Sequence, residues 1–377
     1  MKLRTIAKLA VFVSIILFCI GVGFYSFAQL KMADKGKNVD LLSLVPENSI
    51  GLLETDNMEF LVNEFSQVAY AAQLDTTLRK SALFSVILNN LAPYVRDNVH
   101  GLSNRISRVM ISFHAPVSAD NVVVYFRAGK LEDKFIKSLV REPGTDFIPK
   151  KEMYRGKVVE IYPLSDGNFV STYSGDGFMV ASHQKRLIEE VIDAEKDDRS
   201  LEKDSVFRAG YHSKTANFIT IYANTASIPL LADDEVHCWS EYDLNLNSQV
   251  FYLSGSMHEP DSCMRRAARR LAAAPEIFTD SVLVVSGEER VDSCITSVSA
   301  KPQHTLFDEC VLNLSHDATF ILVADLDKVA DDSCEVSKYI PSFFNRHLSL
   351  FRHFILSVQI KKIEKRLSHI FILNYKE

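Results

Sequence analysis

The 377-residue chain contains no C-x-x-C pair, no phosphate-binding G-x-x-x-x-G-K-[ST] loop, no G-x-G-x-x-G fingerprint and no G-x-S-x-G elbow. Closely spaced cysteines would be needed for a structural zinc site. The glycine patterns would be needed for a P-loop, a dinucleotide site or a strand-to-helix nucleophile. There is no excess of positive charge either. The net charge of −6 gives no support for nucleic-acid binding as the main task. No long low-complexity or proline-rich tract interrupts the chain, so its apolar content is free to build a globular core. No cofactor or metal is implied.

What the chain has in place of a catalytic motif is a long apolar run. Leu9 to Ala28 carries no charge, and 12 of its residues are Leu, Ile, Val or Phe. A helix of that length crosses about 30 Å of hydrocarbon. At about −0.4 kcal/mol per strongly apolar residue, insertion gains roughly −5 kcal/mol. Secretory signals have shorter apolar centres, so a retained anchor is the expected reading. Two rivals stay open: cleavage after Ser26-Phe27-Ala28, and lipidation at Cys19, where Ile16-Leu17-Phe18 are bulkier than processing prefers. Lys2, Arg4 and Lys8 favour a cytoplasmic tail at 1–8. That leaves a span at 9–28, a linker at 29–40 and an extracytoplasmic remainder, which is an inner-membrane, single-pass arrangement.

Beyond the span, Cys238, Cys263, Cys294, Cys310 and Cys334 all fall in the C-terminal half. An exported domain could join them in one or two disulfides. They could equally serve as small buried hydrophobes.

Along the chain, Ile50 to Thr55 reads as a strand, with Asp56 or Asn57 as the cap of a following helix that runs through Leu61 to Leu91. "RVMISFH" and "NVVVYFRAG" read as two more strands, and Leu131 to Val140 as a helix. In "KVVEIYPLSDGNFVSTYSGDGFMVAS" three strands are separated by Asp166-Gly167 and Asp176-Gly177, pairs that supply the positive φ of tight hairpins. The helix "HQKRLIEEVIDA" comes next, with Glu195 to Asp204 as its solvated end. The pattern then resumes. "NFITIYANT" is a strand, "SEYDLNLNSQVFYLSGSMH" a hairpin, "CMRRAARRLAAA" a helix and "DSVLVVSGEERVDSCITSVSA" a pair of strands. "DATFILVADLDKV" repeats the strand, acidic cap and helix of the start, setting Ser49–Leu53 against Thr319–Val323. The residues after each copy also match in outline. A degenerate internal duplication is therefore one reading and chance the other; if the copies are real, the two ends of the chain could pack together. The expected fold is α+β: antiparallel sheets with flanking helices after one N-terminal transmembrane helix, in units 41–205 and 206–377 that could pack as one domain.

"LLSLVPENSIGLLETDN", "DGFMVASHQKRLIEEVI" with "RSLEKDSVFR", and "FFNRHLSLFRHFILSVQI" resemble a family of uncharacterised bacterial envelope proteins, catalogued as a domain of unknown function. The resemblance implies an N-terminal anchor and an exported α+β domain. It implies no activity and carries over no site residue.

Three clusters draw attention. Phe343, His347, Leu350 and Phe354 in "FFNRHLSLFRHF" share a helical face, as a core helix with marginal histidines would. Asp56, Asp325 and Asp327 would form a carboxylate cluster if the repeats met, but each suits helix capping, worth roughly 1 kcal/mol. Arg265, Arg266, Arg269 and Arg270 are the most distinctive charges, aligned along a short helix. They form either a solvated face or a patch for an acidic protein, a lipid headgroup or a polysaccharide. No catalytic, cofactor or metal residue is assigned. The expectation is an envelope protein whose exported domain binds or organises envelope components without catalysis. The alternatives are a hydrolase with scattered residues, which needs a pocket with converging carboxylates or a Ser/His pair, and a carrier of a hydrophobic ligand, which needs an apolar cavity.

Overall fold

The computed structural model describes residues 39–56, 106–116, 121–128, 137–138, 140–141, 148–211, 219–225, 228, 230–231, 238–246, 249–257, 263–329, 336–339, 351–363 and 366–376. The apolar run at 9–28, its tail at 1–8 and most of the linker lie outside them, as do the sequence-expected helix from Leu61 to Leu91 and most of the one at Leu131 to Val140. Among the described residues, no helix is long and apolar enough to cross a membrane.

Among the described residues, the first half of the chain supplies seven strands: β1 (Gly51–Thr55), β2 (Ile106–Phe113), β3 (Val122–Ala128), β4 (Lys150–Tyr154), β5 (Lys157–Pro163), β6 (Phe169–Gly175) and β7 (Phe178–Ser182). Helices α1 (Lys185–Asp197) and α2 (Ser205–Gly210) lead into β8 (Ile219–Asn224), β9 (Trp239–Leu246) and β10 (Val250–Met257). Helix α3 (Cys263–Ala272), β11 (Ile277–Phe278) and β12 (Val282–Ser286) come next, then α4 (Glu288–Ser299) and α5 (Leu306–Leu312). The chain closes with β13 (Phe320–Asp325), α6 (Leu326–Val329), β14 (Phe354–Ile363) and β15 (Arg366–Tyr375).

All strands among the described residues join one 15-stranded sheet, ordered β11-β12-β13-β14-β15-β10-β9-β8-β1-β2-β3-β7-β6-β5-β4. Each of its neighbouring pairs is antiparallel, including β1 with β8, which joins the two halves through Gly51↔Ala223 and Leu53↔Ile221. The architecture is thus a large antiparallel sheet with a few helices, an α+β arrangement. Residues 41–205 hold β1–β7 and residues 206–377 hold β8–β15.

Partners opposite one another in register point to the same side of the sheet. Val285, Ile321, Gln359, Ile370, Ser254, Asp243, Thr220, Glu54, Met110, Tyr125 and Val180 therefore trace a single face from β12 to β7. Two apolar clusters form on it. One lies under Leu187, Ile188, Val191 and Ile192 of α1, the other under Val291, Ile295 and Val298 of α4 and Val311 of α5. The opposite face carries Val284, Phe320, Leu322, Val358 and Leu367, covered by Ala267 and Leu271 of α3 and Leu326 of α6. With apolar layers on both sides, β8, β13 and β7 are buried along their whole length. Such strands read as continuous apolar runs, not as alternation.

Several expectations need correction. The segment after Gly287 is not a second strand but α4, because Val291, Ile295 and Val298 recur at helical spacing and all are buried. In the two Asp-Gly turns only Gly167 and Gly177 take positive φ, at 85° and 84°. The turn with two left-handed residues is Arg155-Gly156, at φ 46° and 79°, and it joins β5 to β4, a strand too polar to stand out in the sequence. Arg155 tolerates that backbone while its guanidinium grips Asp193 and Asp197 of α1 at 2.7 Å. Helix α1 runs on to Asp197, and α2 begins at Ser205, directly after the charged stretch. Phe354 opens β14, so it is no part of a helical face, while Phe343, His347 and Leu350 lie outside the described residues. Strands β1 and β13 do not meet: β14, β15, β10, β9 and β8 stand between them.

Candidate functional site

Three buried hydrogen-bonded clusters lie within the sheet. Glu54 Oε2 lies 2.6 Å from Arg108 Nη2, and both side chains are almost wholly enclosed. The Tyr211 and Tyr222 hydroxyls donate to the same carboxylate at 3.2 and 3.4 Å. Desolvation pushes the Glu54 carboxyl up, more than Arg108 and Tyr211 pull it down. On Arg108 desolvation acts downward, but Glu54, Tyr211 and Asp56 outweigh it and the guanidinium stays charged. Phe207 of α2 packs over this cluster against Tyr211, Tyr222 and Trp239, with ring centroids 5.0–5.4 Å away. The group therefore locks α2 onto the seam between the two halves of the sheet.

The second group is a serine–histidine pair that no motif announced. Ser112 Oγ lies 2.8 Å from His114 Nε2 and 3.0 Å from the Tyr125 hydroxyl. A hydrolytic pair needs access, and a partner that orients the imidazole. Here Ser112 and Tyr125 are fully enclosed and His114 nearly so. His114 Nδ1 has no hydrogen-bond partner among the described residues. Burial, helped by Arg186, pushes its pKa down to about 4. The pair is a neutral, sealed core contact. The third group is Tyr242 with His369, likewise buried. Among the described residues no three His, Cys, Asp or Glu side chains come together in a way that could hold a metal ion.

The expected acidic cluster splits: Asp325 and Asp327 share the Lys376 ammonium, at 2.5 and 3.9 Å, while Asp56 stands apart. Asp325 Oδ1 accepts from the Asp327 backbone at 3.2 Å at the start of α6, a capping contact, and Asp56 lies at the end of the distant β1. Of the cysteines, Cys238 is disulfide-bonded, while Cys294 and Cys310 are free thiols.

What faces solvent is α3. Alanine, leucine and arginine are all strong helix formers, and Pro275 comes soon after the last turn. Ala267 and Leu271, one turn apart, are buried against the sheet. The C-terminal carbonyl of Leu271 accepts from the Ser286 hydroxyl of β12 at 2.8 Å, which fixes the helix end to the sheet. At about 100° per residue the four arginines fall in two stripes. Arg265 and Arg269 make one, both exposed; Arg266 and Arg270 make the other, both half-buried. The sequence-expected single face is thus a broad arc. Arg269 Nε also reaches back to the Arg265 carbonyl at 3.3 Å.

Beside the Arg265–Arg269 stripe lies a cavity of about 480 Å³, where α3, the β12–α4 turn and the β14–β15 hairpin converge. Ala268, Leu271, Ala272 and Leu367 form its apolar side. Gly287 to Arg290, Thr319 and Lys362 form its polar side. Gly287, at φ 96°, makes the sharp exit from β12 and leaves the first turn of α4 facing the opening. Arg290 is tied to Glu276 at 2.5 Å. No sequence pattern signalled this cavity, because its walls come from segments almost 100 residues apart.

No protein-family model matches the chain, and no curated protein matches it. Among solved structures, one described as crystal form I of TP0453 is 11% identical and spans 64% of this chain and 89% of that one, with a TM-score of 0.30. A likeness at that score supports no conclusion about fold or function.

Proposed function

We propose that this chain is a single-pass envelope protein, held by residues 9–28 in the inner membrane, whose exported domain binds anionic envelope material through α3 without catalysis. The observation that carries the reading is the double arginine stripe on a helix whose apolar side is fixed to the sheet. Arginine forms two-pronged contacts with carboxylate and phosphate, and a rigid helix presents four of them at low entropic cost. The Cys238 disulfide agrees with an oxidising compartment, and the uncharged run of residues 9–28 with retention in the bilayer. The partner is an envelope protein, lipid or polysaccharide, not nucleic acid.

The test replaces Arg265, Arg266, Arg269 and Arg270 with glutamine, which keeps helix propensity and removes four charges. The expected result is an unchanged melting temperature with weaker retention on polyphosphate resin, a gap that narrows as salt rises. Equal retention at low ionic strength would end the reading. For the anchor, carbonate washing should leave the protein in the membrane pellet. A soluble form beginning at Gln29 would refute that.

The hydrolase reading is disfavoured by the sealed Ser112–His114 pair. Strand order favours the duplication reading in a new alignment. Outward from the β1–β8 seam, one side runs β1-β2-β3-β7-β6-β5-β4 and the other β8-β9-β10-β15-β14-β13-β12, with the two-residue β11 added at its edge. Each is a strand, a hairpin, then a meander whose last strand returns beside the hairpin. On this alignment β1 matches β8 and not β13. Profiles of homologous sequences in which 41–205 and 206–377 show no similarity would remove it.

A further inference from the structure

We propose that the cavity beside α3 takes the acyl chain of an anionic membrane lipid whose headgroup rests on the Arg265–Arg269 stripe; this rests on the reading of α3 as the anion-binding element. Helical geometry places Arg265 and Arg269 on the same flank of α3 as the cavity-lining Ala268 and Ala272. A ligand touching the arginines therefore meets the opening directly. The wall it would enter along is methyl and isobutyl surface from Ala268, Leu271, Ala272 and Leu367, which suits a hydrocarbon chain. A polysaccharide would want an aromatic face to stack on, and among the described residues no aromatic residue lines the cavity.

Charge at the rim points to the same ligand. Lys362 stands exposed across the opening and makes no ion pair among the described residues. Glu288 and Glu289 also line the site, in the first turn of α4 where they offset the helix dipole, and Glu276 is engaged by Arg290. A headgroup is thus directed to the α3 side, away from those acids. At about 480 Å³ the cavity lies within the roughly 300–1,000 Å³ of small-ligand sites, large enough for part of one chain and not for a whole diacyl lipid. Such a site would hold α3 against the outer leaflet surface by one inserted chain, adding apolar contact to charge attraction.

The experiment uses full-length protein in phosphatidylcholine nanodiscs doped with phosphatidylglycerol that carries a diazirine in its acyl chain. After irradiation, peptide mass spectrometry should place the label on α3 and the start of β15. Ala272→Trp projects bulk into the cavity from an exposed position. It should cut that labelling by about tenfold while leaving polyphosphate retention and melting temperature unchanged. Ala268→Phe is the second filling variant, read in place of the first if Ala272→Trp melts early. Undiminished labelling in the filling variant overturns the proposal, as does equal labelling from a phosphatidylcholine probe. If that happens while the four-glutamine variant still loses polyphosphate retention, the anion-binding reading stands and only the cavity assignment falls. If the four-glutamine variant keeps retention, the anion-binding reading itself fails.

Discussion

Tyr242 and His369 hydrogen-bond at 3.0 Å although a whole strand separates them, because the residue between them in register is Gly255. The phenol of β9 lies across the bare backbone of β10 to reach the imidazole of β15. A Cβ at Gly255 would run into the carbonyl oxygen of Glu241 and sit 2.6 Å from the Tyr242 ring. Gly255→Ala should therefore cost well over about 3 kcal/mol, the scale of a severe overpacking or backbone clash. Truncating the ring will not rescue it, since the carbonyl remains. Urea melts of Gly255→Ala alone and with Tyr242→Ala would decide this, and a wild-type midpoint in either would refute it.

The two buried histidines give the stability a sign with pH. Burial holds both His114 and His369 near a pKa of about 4, against an ordinary 6.5. In the unfolded chain they take up protons first, so folding is favoured above about pH 6.5 and weakened as pH falls from there toward 4. Between about pH 7 and pH 5 each should remove about 2 kcal/mol. Denaturant melts at those two pH values test it. His369→Asn and His114→Asn should each flatten the profile, and a slope identical to wild type in both would show that the histidines do not control it.

Breaking the Glu54–Arg108 pair from one side should be worse than removing it whole. Arg108→Met strands an enclosed carboxylate, at a cost of roughly 3–5 kcal/mol. Adding Glu54→Leu should recover much of that loss, short of the full amount, because the Tyr211 and Tyr222 hydroxyls then lose their acceptor. A double variant no more stable than Arg108→Met would show that the pair contributes more than charge balance.

How far the fold was legible depended on locality. β1, β7 and β13 stood out as apolar runs, and the hairpins at Gly167 and Gly177 as glycine turns. Helix α3 was equally plain from its composition. Helix α4 was not, since Val291, Ile295 and Val298 are spread among polar residues behind a strand that fixed attention. Strand β4 escaped because four of its five residues, Lys150, Lys151, Glu152 and Tyr154, are polar or amphipathic, as suits the exposed rim of a sheet. Sheet order was beyond reach: the hairpin of β14 and β15 is local and legible, but nothing in β15 announces that its other partner is the distant β10. The arginines of the candidate site were legible as charge, while the cavity beside them exists only once residues 268–290 meet 319, 362 and 367.

That order makes the C-terminus more consequential than its position suggests. A last strand at a sheet's edge can be lost at modest cost. β15 is interior, pairing ten residues with β14 and eight with β10. Removing Leu367 to Glu377 would take away nearly all of it and leave β14 and β10 each with an unpaired edge in the middle of the sheet. The truncation would also delete His369 from its contact with Tyr242, and Leu367 from both the core and the cavity wall. The expected outcome is loss of cooperative melting in the second half of the chain, with early proteolysis between α3 and β14. Exposed edges of that length also template aggregation, so the truncated protein should pellet after mild heating. A truncated chain that stays monomeric and melts cooperatively at the full-length temperature would mean that β10 and β14 do not depend on β15.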